Sequence, residues 1–168
     1  TSSKFVNHFE EAAEKYIKEF ELDENSFVID IGSNDGVALK PLQEKGIKVL
    51  GVEPAKNLAE MANANKIPTY NEYFNKDIVE DLVSKYGKAN LVTASNVFAH
   101  SDKLKEIATN AFDVLDENGV LIVEVQYLLS TLQDLTFDNI YHEHTNYWSV
   151  TSINKFFDNM ALCVYKVK

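Results

Sequence analysis

The sequence predicts an α/β fold in which helices cover both faces of an open, mostly parallel β-sheet. Short apolar runs of strand length alternate along the chain with helical patterns of about ten residues. This alternation indicates βαβ units, whose right-handed crossovers make successive strands parallel. The first strand, residues 27–31, is apolar at four of its five positions, as expected of a strand that is buried on both faces.

The composition limits the kind of protein that this can be. Its 168 residues are enough for one domain with a substantial core. The formal net charge of −10 argues against nucleic acid or an anionic membrane as the main partner. The single cysteine, Cys163, excludes an internal disulfide and a cysteine-cluster zinc site within these residues. The sequence shows no signal peptide or transmembrane run, so we expect a cytoplasmic protein.

The first half of the chain starts with a helix and then alternates strand and helix. Residues 5–20 place apolar side chains at helical spacing, which predicts an amphipathic helix before the first strand. Gly32 ends the first strand, and residues 36–46 carry the next helical pattern. Pro54 blocks the continuation of the second strand. The other predicted elements of this half are a strand at 47–52, a helix at 58–64 and a short strand at 67–70.

The second half continues the alternation as far as residue 125. A helix at 77–86 ends before Gly87, which is typical of a helix C-terminus. It is followed by a strand at 89–94, a helix at 104–115 and a fifth strand at 119–125. The pattern then loosens into a long irregular connection, and such connections are usually functional. The last predicted elements are a short helix or loop at 127–135, a helix from an N-cap at Thr151 to residue 160, and a strand at 162–167.

A glycine turn follows the first strand, where residues 31–36 read I-G-S-N-D-G. A buried strand, a glycine turn and a helix form the geometry that brings main-chain N–H groups close to a ligand. The spacing lacks the third glycine of the nicotinamide-binding loop and matches D-x-G-x-x-x-G, the pattern of S-adenosylmethionine (SAM) methyltransferases. Asn34 replaces the middle glycine of many such loops, and asparagine tolerates a positive φ. A structural turn without a ligand is the alternative.

Two carboxylates end the first two strands. Asp30 can face the crevice, and Glu53 lies where an acid commonly binds both hydroxyls of a ribose. Together they predict a nucleoside cofactor, and the glycine turn favours SAM. For Tyr73 and Phe74, predicted to contact adenine, core packing is an equally simple alternative. The full set of predicted cofactor-binding residues is Asp30, Gly32, Ser33, Asn34, Gly36, Glu53, Pro54, Tyr73, Phe74, Asn96 and Val97.

Four motifs occur in order along the chain: I-G-S-N-D-G (31–36), G-V-E-P-A (51–55), N-V-F-A-H (96–100) and F-D-N-I-Y-H-E-H (137–144). Together they resemble the sugar C-methyltransferase family, which methylates nucleotide-linked keto-deoxysugars, and Y-H-E-H is the most diagnostic part. The resemblance implies a Rossmann-like class I SAM-dependent methyltransferase fold with strand order 3-2-1-4-5. It also implies an N-terminal zinc-binding lobe and a C-terminal lobe. Neither is in residues 1–168, so we expect a fragment that carries the central SAM-binding domain.

The resemblance also implies a chemistry and its residues. C-methylation requires a base that removes a proton next to a ketone, and a group that stabilises the enolate oxygen. His144 matches the family's proposed base, while Tyr141, Glu143 and His100 match the polar residues around it. A three-histidine metal site that includes His142 is the alternative, which the family match disfavours. One departure is Gln126, where the family usually has proline.

The sequence therefore predicts a SAM-dependent C-methyltransferase whose substrate is a small nucleotide-linked keto-deoxysugar. Methylation of oxygen or nitrogen in another small molecule is one alternative, and a SAM-binding domain without activity of its own is another. We also expect the seventh strand of the methyltransferase sheet to be missing. The unpaired edge of the fifth strand would then leave a gap, draw the sixth strand inward or promote self-association with a neighbouring chain.

Overall fold

The computed structural model describes residues 3–158, 160 and 162–168. Five parallel strands, numbered in chain order, form its central sheet in the order β3-β2-β1-β4-β5. This arrangement confirms the predicted fold class and strand order. The chain turns from β1 to β2 and β3 on one side, and to β4 and β5 on the other. Beside β1 the direction of winding reverses, and ligands of open α/β sheets bind at such points. The strands are β1 (Phe27–Ile31), β2 (Lys48–Val52), β3 (Thr69–Tyr70), β4 (Ala89–Ser95) and β5 (Leu115–Glu124).

Helices cover both faces of the sheet, and each face has its own apolar core. One core lies under α1, α2 and α3, where Val28 of β1 packs against Ala13 and Leu42. The other lies under α4, α6 and α8, and Ile29 belongs to it. Successive strand residues point to opposite faces, so Asp30 is on the α1 side. The helices are α1 (Ser3–Glu19), α2 (Lys40–Glu44), α3 (Lys56–Ala64), α4 (Lys76–Tyr86), α5 (Val97–His100), α6 (Leu104–Val114), α7 (Leu128–Gln133) and α8 (Val150–Phe157), with a 3-10 turn at Phe137–Asn139.

Two of the differences between predicted and observed helix starts have a local structural cause. The helix after β1 begins at Lys40 rather than at Gly36, because the glycine turn extends through the residues before it. The last helix has its N-cap at Ser149 rather than at Thr151. Ser149 Oγ accepts a hydrogen bond of 3.1 Å from the Ser152 N–H, and the Ser152 hydroxyl bonds back to the Ser149 N–H. This reciprocal capping box satisfies two helix-terminal donors and determines where α8 starts.

The predicted strand at 162–167 is wrong, because the structure has no strand in these residues. Leu162 and Val164 instead pack, partly buried, against the core on the α8 side. Lys166 and Lys168 form ion pairs with Glu19 near the end of α1. This segment is therefore held by contacts with the core and with α1, and not by the strand-to-strand hydrogen bonds that its alternating apolar pattern predicted. Within the described residues, β5 pairs with β4 alone among the named strands.

The described residues contain no helix that is both long and apolar enough to cross a membrane.

Candidate functional site

A crevice of about 220 Å³ lies at the carboxyl ends of β1 and β4, where the sheet winding reverses. Residues from the strand ends, the glycine turn and α1 line it: Phe5, Phe9, Asp30, Gly32, Ser33, Asn34, Val37, Ala38, Ser95 and Asn96. Five of the predicted cofactor-binding residues are among them. Sequence reasoning missed Phe5 and Phe9, because phenylalanines on the apolar face of an amphipathic helix have the same pattern whether they pack in a core or line a cavity.

Gly32 and Gly36 of the glycine turn have a backbone conformation, and an amount of space around them, that favour glycine over any other residue. Gly32 and Gly36 have φ values of 65° and 83°, in the left-handed region. A Cβ on Gly32 would lie 2.8 Å from Val97 Cγ2, and one on Gly36 would lie 2.9 Å from Ile67 Cγ2. Asn34 also adopts a positive φ, 53°, as the sequence predicted. The turn is therefore held tightly against Ile67, which precedes β3, and against Val97 of α5.

The N–H groups of this turn bond to the protein itself, which corrects the expectation that they face a ligand. Gly32 N–H donates to the Val52 carbonyl at 2.8 Å, and Gly36 N–H donates to the Ser33 carbonyl at 3.0 Å. The N–H groups between them bond to the Val52 carbonyl, the Glu53 carboxylate and the Asn34 side chain. A phosphate-binding turn needs free N–H donors. This turn is better suited to a cation, because Asp30 lines the same crevice.

Glu53 is buried beside the turn, and backbone donors fix the position of its carboxylate. Its Oε2 accepts the Asn34 N–H at 2.9 Å, and its Oε1 accepts the Ala55 N–H at 2.8 Å. A carboxylate can accept about four hydrogen bonds, so both oxygens retain capacity for a diol. Asn71 donates to the main-chain carbonyls of Glu53 and Pro54, at 3.0 and 2.9 Å. The end of β2 is thus rigid.

Six predicted cofactor residues lie outside the crevice lining: Gly36, Glu53, Pro54, Tyr73, Phe74 and Val97. Phe74 is a core residue, only 7% exposed and packed on the α4 side of the sheet, so the prediction that it contacts adenine is wrong. Its carbonyl accepts a hydrogen bond from the buried Asn110 side chain. Tyr73 is 74% exposed and is free of that core. The Val97 side chain packs against Gly32, so it limits the space that is available to the glycine turn.

Asp30 is the buried carboxyl group of the crevice. It is 3% exposed, and its Oδ1 accepts a hydrogen bond of 2.6 Å from the Thr93 hydroxyl. Burial raises the pKa of Asp30 to about 7, against a smaller lowering by the Thr93 hydrogen bond. The carboxylates of Glu53 and Glu124 raise it further. A bound cation would oppose these effects and favour the ionised form.

The predicted catalytic residues form a second cluster near the end of α5. The His144 ring lies 4.7 Å from the His100 ring and 4.3 Å from the Tyr141 ring, measured between centroids. Tyr141 Oη and His144 Nε2 are 3.0 Å apart and share a hydrogen bond. His100 Nδ1 lies 2.9 Å from the Glu143 carbonyl, which can only accept, so this nitrogen carries the hydrogen. The Glu143 carboxylate instead lies 4.0 Å from His142.

Backbone contacts explain why this loop returns to α5. The N–H groups of Thr145 and Asn146 both donate to the Ala99 carbonyl, at 2.9 and 3.2 Å. The Trp148 indole is buried and donates to the Phe98 carbonyl at 2.9 Å. Trp148 is therefore a packing residue. These bonds satisfy carbonyls at the end of α5 and place His144 beside His100.

The short helix α5 connects the two clusters. Asn96, which lines the crevice, precedes it in a left-handed conformation with φ 61°, and His100 ends it. His142 does not join the histidine pair, because its side chain is 90% exposed and lies beside Glu143. Over the described ranges 3–158, 160 and 162–168, no group of three or more His, Cys, Asp or Glu side chains is placed to hold a metal ion.

Comparison with known proteins gives a relative over the whole chain. The C-methyltransferase NovU of Streptomyces niveus is 31% identical over 166 residues, which are 99% of this chain and 40% of that protein. The chain therefore spans less than half the length of this curated relative. A family model described as a methyltransferase domain matches residues 5–165.

Solved structures agree in fold at low sequence identity. A SAM-dependent methyltransferase from Archaeoglobus fulgidus has a TM-score of 0.72 at 18% identity, over 91% of this chain and 67% of that chain. The plantazolicin methyltransferase BpumL, solved with a pentazolic desmethylPZN analogue and SAH, has a TM-score of 0.71 at 11% identity, over 93% of this chain and 63% of that chain. Since the family model covers nearly the whole sequence, the chain belongs to the methyltransferase-domain family, and the predicted presence of a methyltransferase domain is confirmed.

Proposed function

We propose that this chain is the SAM-binding, catalytic domain of a C-methyltransferase that acts on a nucleotide-linked keto-deoxysugar. The observation that carries the proposal is the position of the Tyr141–His144–His100 cluster, at one end of a helix whose other end borders the cofactor crevice. The C-methyltransferase relative and the Y-H-E-H motif favour carbon as the methyl acceptor.

The polar groups at the crevice support SAM as the cofactor. Its turn offers no free N–H to a phosphate, and Asp30 offers a carboxyl group to the positive charges of the methionine end. Glu53 retains acceptor capacity for the ribose hydroxyls. Gly32, Ser33, Asn34 and Asn96 line the crevice, and Gly36 ends its glycine turn. The proposal keeps Pro54 and Tyr73 as contacts for the adenine. SAM supplies an activated methyl group on a sulfonium centre.

The second cluster fits proton transfer from carbon. His144 accepts the proton next to the sugar ketone, because a neutral imidazole has a ring nitrogen that can act as a general base. The Tyr141 hydroxyl orients His144 through their shared hydrogen bond, or donates to the enolate oxygen as charge develops there. His100 is held by the Glu143 carbonyl and packs on the His144 ring, so it restricts the position of the base.

Exchange of the sugar proton for deuterium tests this function without methyl transfer. The intact natural protein is incubated in D2O with a nucleotide-linked keto-deoxysugar and no SAM, and exchange is followed by NMR. We expect deuterium at the carbon next to the ketone, because C-methylation alone among the candidate reactions must ionise that carbon. His144→Ala should abolish exchange and leave SAM affinity near wild type. His142→Ala is the matched control and should retain exchange.

Other outcomes identify the alternatives. Methyl transfer without exchange would indicate methylation of oxygen or nitrogen in another small molecule. Stoichiometric SAM binding with neither exchange nor turnover on any keto sugar would indicate a binding domain. If exchange persists in His144→Ala, the base is Tyr141 or His100, which Tyr141→Phe and His100→Ala would then distinguish.

A further inference from the structure

The first turns of α1 form one wall of the cofactor crevice. Phe5 and Phe9 both line it, with their rings in an edge-to-face contact at 5.2 Å between centroids. Phe9 is 7% exposed, whereas Phe5 is 45% exposed and stands at the rim. The Asp30 carboxyl group lines the same crevice. Aromatic faces and a carboxyl group in one crevice form a suitable environment for a cation.

Glu124, at the end of β5, contacts both α1 and the turn that follows β4. Its Oε2 lies 3.0 Å from His8 Nε2, and because a carboxylate can only accept, this nitrogen donates. The Glu124 carbonyl accepts the Asn96 N–H at 2.8 Å. His8 lies between the two phenylalanines in sequence, and Asn96 lines the crevice. One residue therefore holds both α1 and the turn after β4 in place.

Electrostatics agree with the placement of Glu124 under α1. Tyr16, two turns further along this helix, has its pKa raised to about 12, first by burial and then by the charges of Glu124 and Asp30. Both carboxyl groups thus point to the α1 side of the sheet. His8 is the side chain that the structure pairs with the Glu124 carboxylate there.

We propose that Phe5 and Phe9 are the aromatic contact for the sulfonium cation of SAM, and that His8 and Glu124 are positioning residues that hold α1 over the bound cofactor. This inference rests on the proposed function only in that the cofactor is SAM. It adds four residues that the glycine-turn pattern and the carboxylates did not indicate. It also makes a chemical distinction, because SAM carries a sulfonium charge and its product SAH does not.

Titration calorimetry with SAM and with SAH tests the aromatic contact. Phe5→Leu keeps an apolar side chain and removes the ring, and the exposed position makes loss of the fold an unimportant concern. We expect SAM affinity to fall about two- to fivefold, as for a partly exposed cation–π contact, while SAH affinity stays the same. Phe112→Leu is the matched control, since Phe112 is also 45% exposed but lies on α6, outside the crevice lining.

Hydrogen exchange and calorimetry together test the positioning pair. His8→Ala and Glu124→Gln should each speed amide exchange in the first turns of α1 and weaken SAM about two- to fivefold, as for a half-exposed ion pair. The double variant should be no weaker than either single variant, because both remove the same contact. Lys15→Ala, which breaks the exposed Glu11–Lys15 pair on the same helix, is the control and should change neither quantity.

The results separate this inference from the proposed function. One outcome is that the wild-type chain binds SAM while Phe5→Leu lowers the affinities for SAM and SAH equally, or changes neither affinity. In either case the proposed aromatic contact is wrong and the cofactor assignment stands. Additive effects of His8→Ala and Glu124→Gln, or unchanged exchange in α1, would overturn the positioning role. A wild-type chain that binds neither SAM nor SAH would overturn both the inference and the proposed cofactor.

Discussion

Asp30 and Thr93 are direct partners across β1 and β4, and the Thr93 hydroxyl donates a hydrogen bond of 2.6 Å to the buried Asp30 carboxyl group. The bond is short because it joins two side chains on the same face of adjacent parallel strands. It lies beside the crevice, with Glu53 and Glu124 close enough to raise the pKa of Asp30. The crevice thus contains a carboxyl group that changes charge near neutral pH.

The cofactor-free protein should lose stability as the pH rises from about 4 to about 7. The pKa of Asp30 is about 7 in the folded chain, against an ordinary value of 3.8, so the folded state holds more protons in this window. The loss should be complete above the folded pKa and amount to at most about 4 kcal/mol. Urea unfolding at several pH values measures it. Asp30→Asn should remove this part of the slope, and an unchanged slope would contradict the assignment.

SAM binding should release a proton from Asp30 below pH 7. A cation in the crevice favours the ionised carboxyl group, so the pKa of Asp30 falls when SAM binds. Near pH 6 we expect release of about one proton, and affinity should rise with pH up to the folded pKa. Calorimetry in two buffers of different ionisation enthalpy measures the number of protons. Asp30→Asn should show none, whereas proton release that survives in this variant would point to Glu53, Glu124 or His8.

Glu53→Ala should weaken SAM by about 1–3 kcal/mol, because charge-assisted hydrogen bonds to the ribose are lost. The same change frees the N–H groups of Asn34 and Ala55, so the turn should also loosen. Calorimetry measures the SAM affinity, and urea unfolding measures the loss of stability that comes from the loosened turn. Glu60→Ala, at an exposed position on α3, is the control. SAM affinity equal to wild type in Glu53→Ala would show that the carboxylate serves only the turn.

The sheet order and the glycine turn could be predicted because their signals are local. Alternating strands and helices specify parallel neighbours, and Gly32 and Gly36 mark positions with positive φ. The hydrogen-bond partners of the turn could not be predicted, because spacing does not reveal that the Val52 carbonyl and the Glu53 carboxylate lie within reach.

Non-local packing accounts for the other differences. Phe74 follows a strand like a ligand-contacting residue, yet its ring lies in the core on the α4 side. The strand expected at 162–167 has the right alternation, but Lys166, and Lys168 just after it, pair with Glu19 of a helix more than a hundred residues earlier. His8 and Glu124 are also more than a hundred residues apart in sequence, so no local pattern indicates their contact.

Gly51→Ala should displace the glycine turn and weaken SAM. A Cβ on Gly51 would lie 2.3 Å from Ser33 Oγ and 2.8 Å from Thr69 Oγ1, far inside normal contact distance. The backbone of Gly51 is paired in β2, so the turn must move instead. We expect a loss of about 1–3 kcal/mol in the free energy of unfolding, as for overpacking, and a parallel loss of SAM affinity measured by calorimetry.

A second substitution distinguishes crowding from other causes. Gly51→Ala combined with Ser33→Gly removes the nearest clashing atoms and should recover part of both losses, because the Ser33 hydroxyl is buried without a hydrogen-bond partner in the structure and is not needed there. Gly46→Ala is the control for backbone strain: its φ is 85° and a Cβ there would meet nothing within 4 Å. It should lower stability by about 1 kcal/mol and leave SAM affinity unchanged, since Gly46 is outside the crevice lining. If the double variant recovers nothing, Thr69 rather than Ser33 limits the space at Gly51.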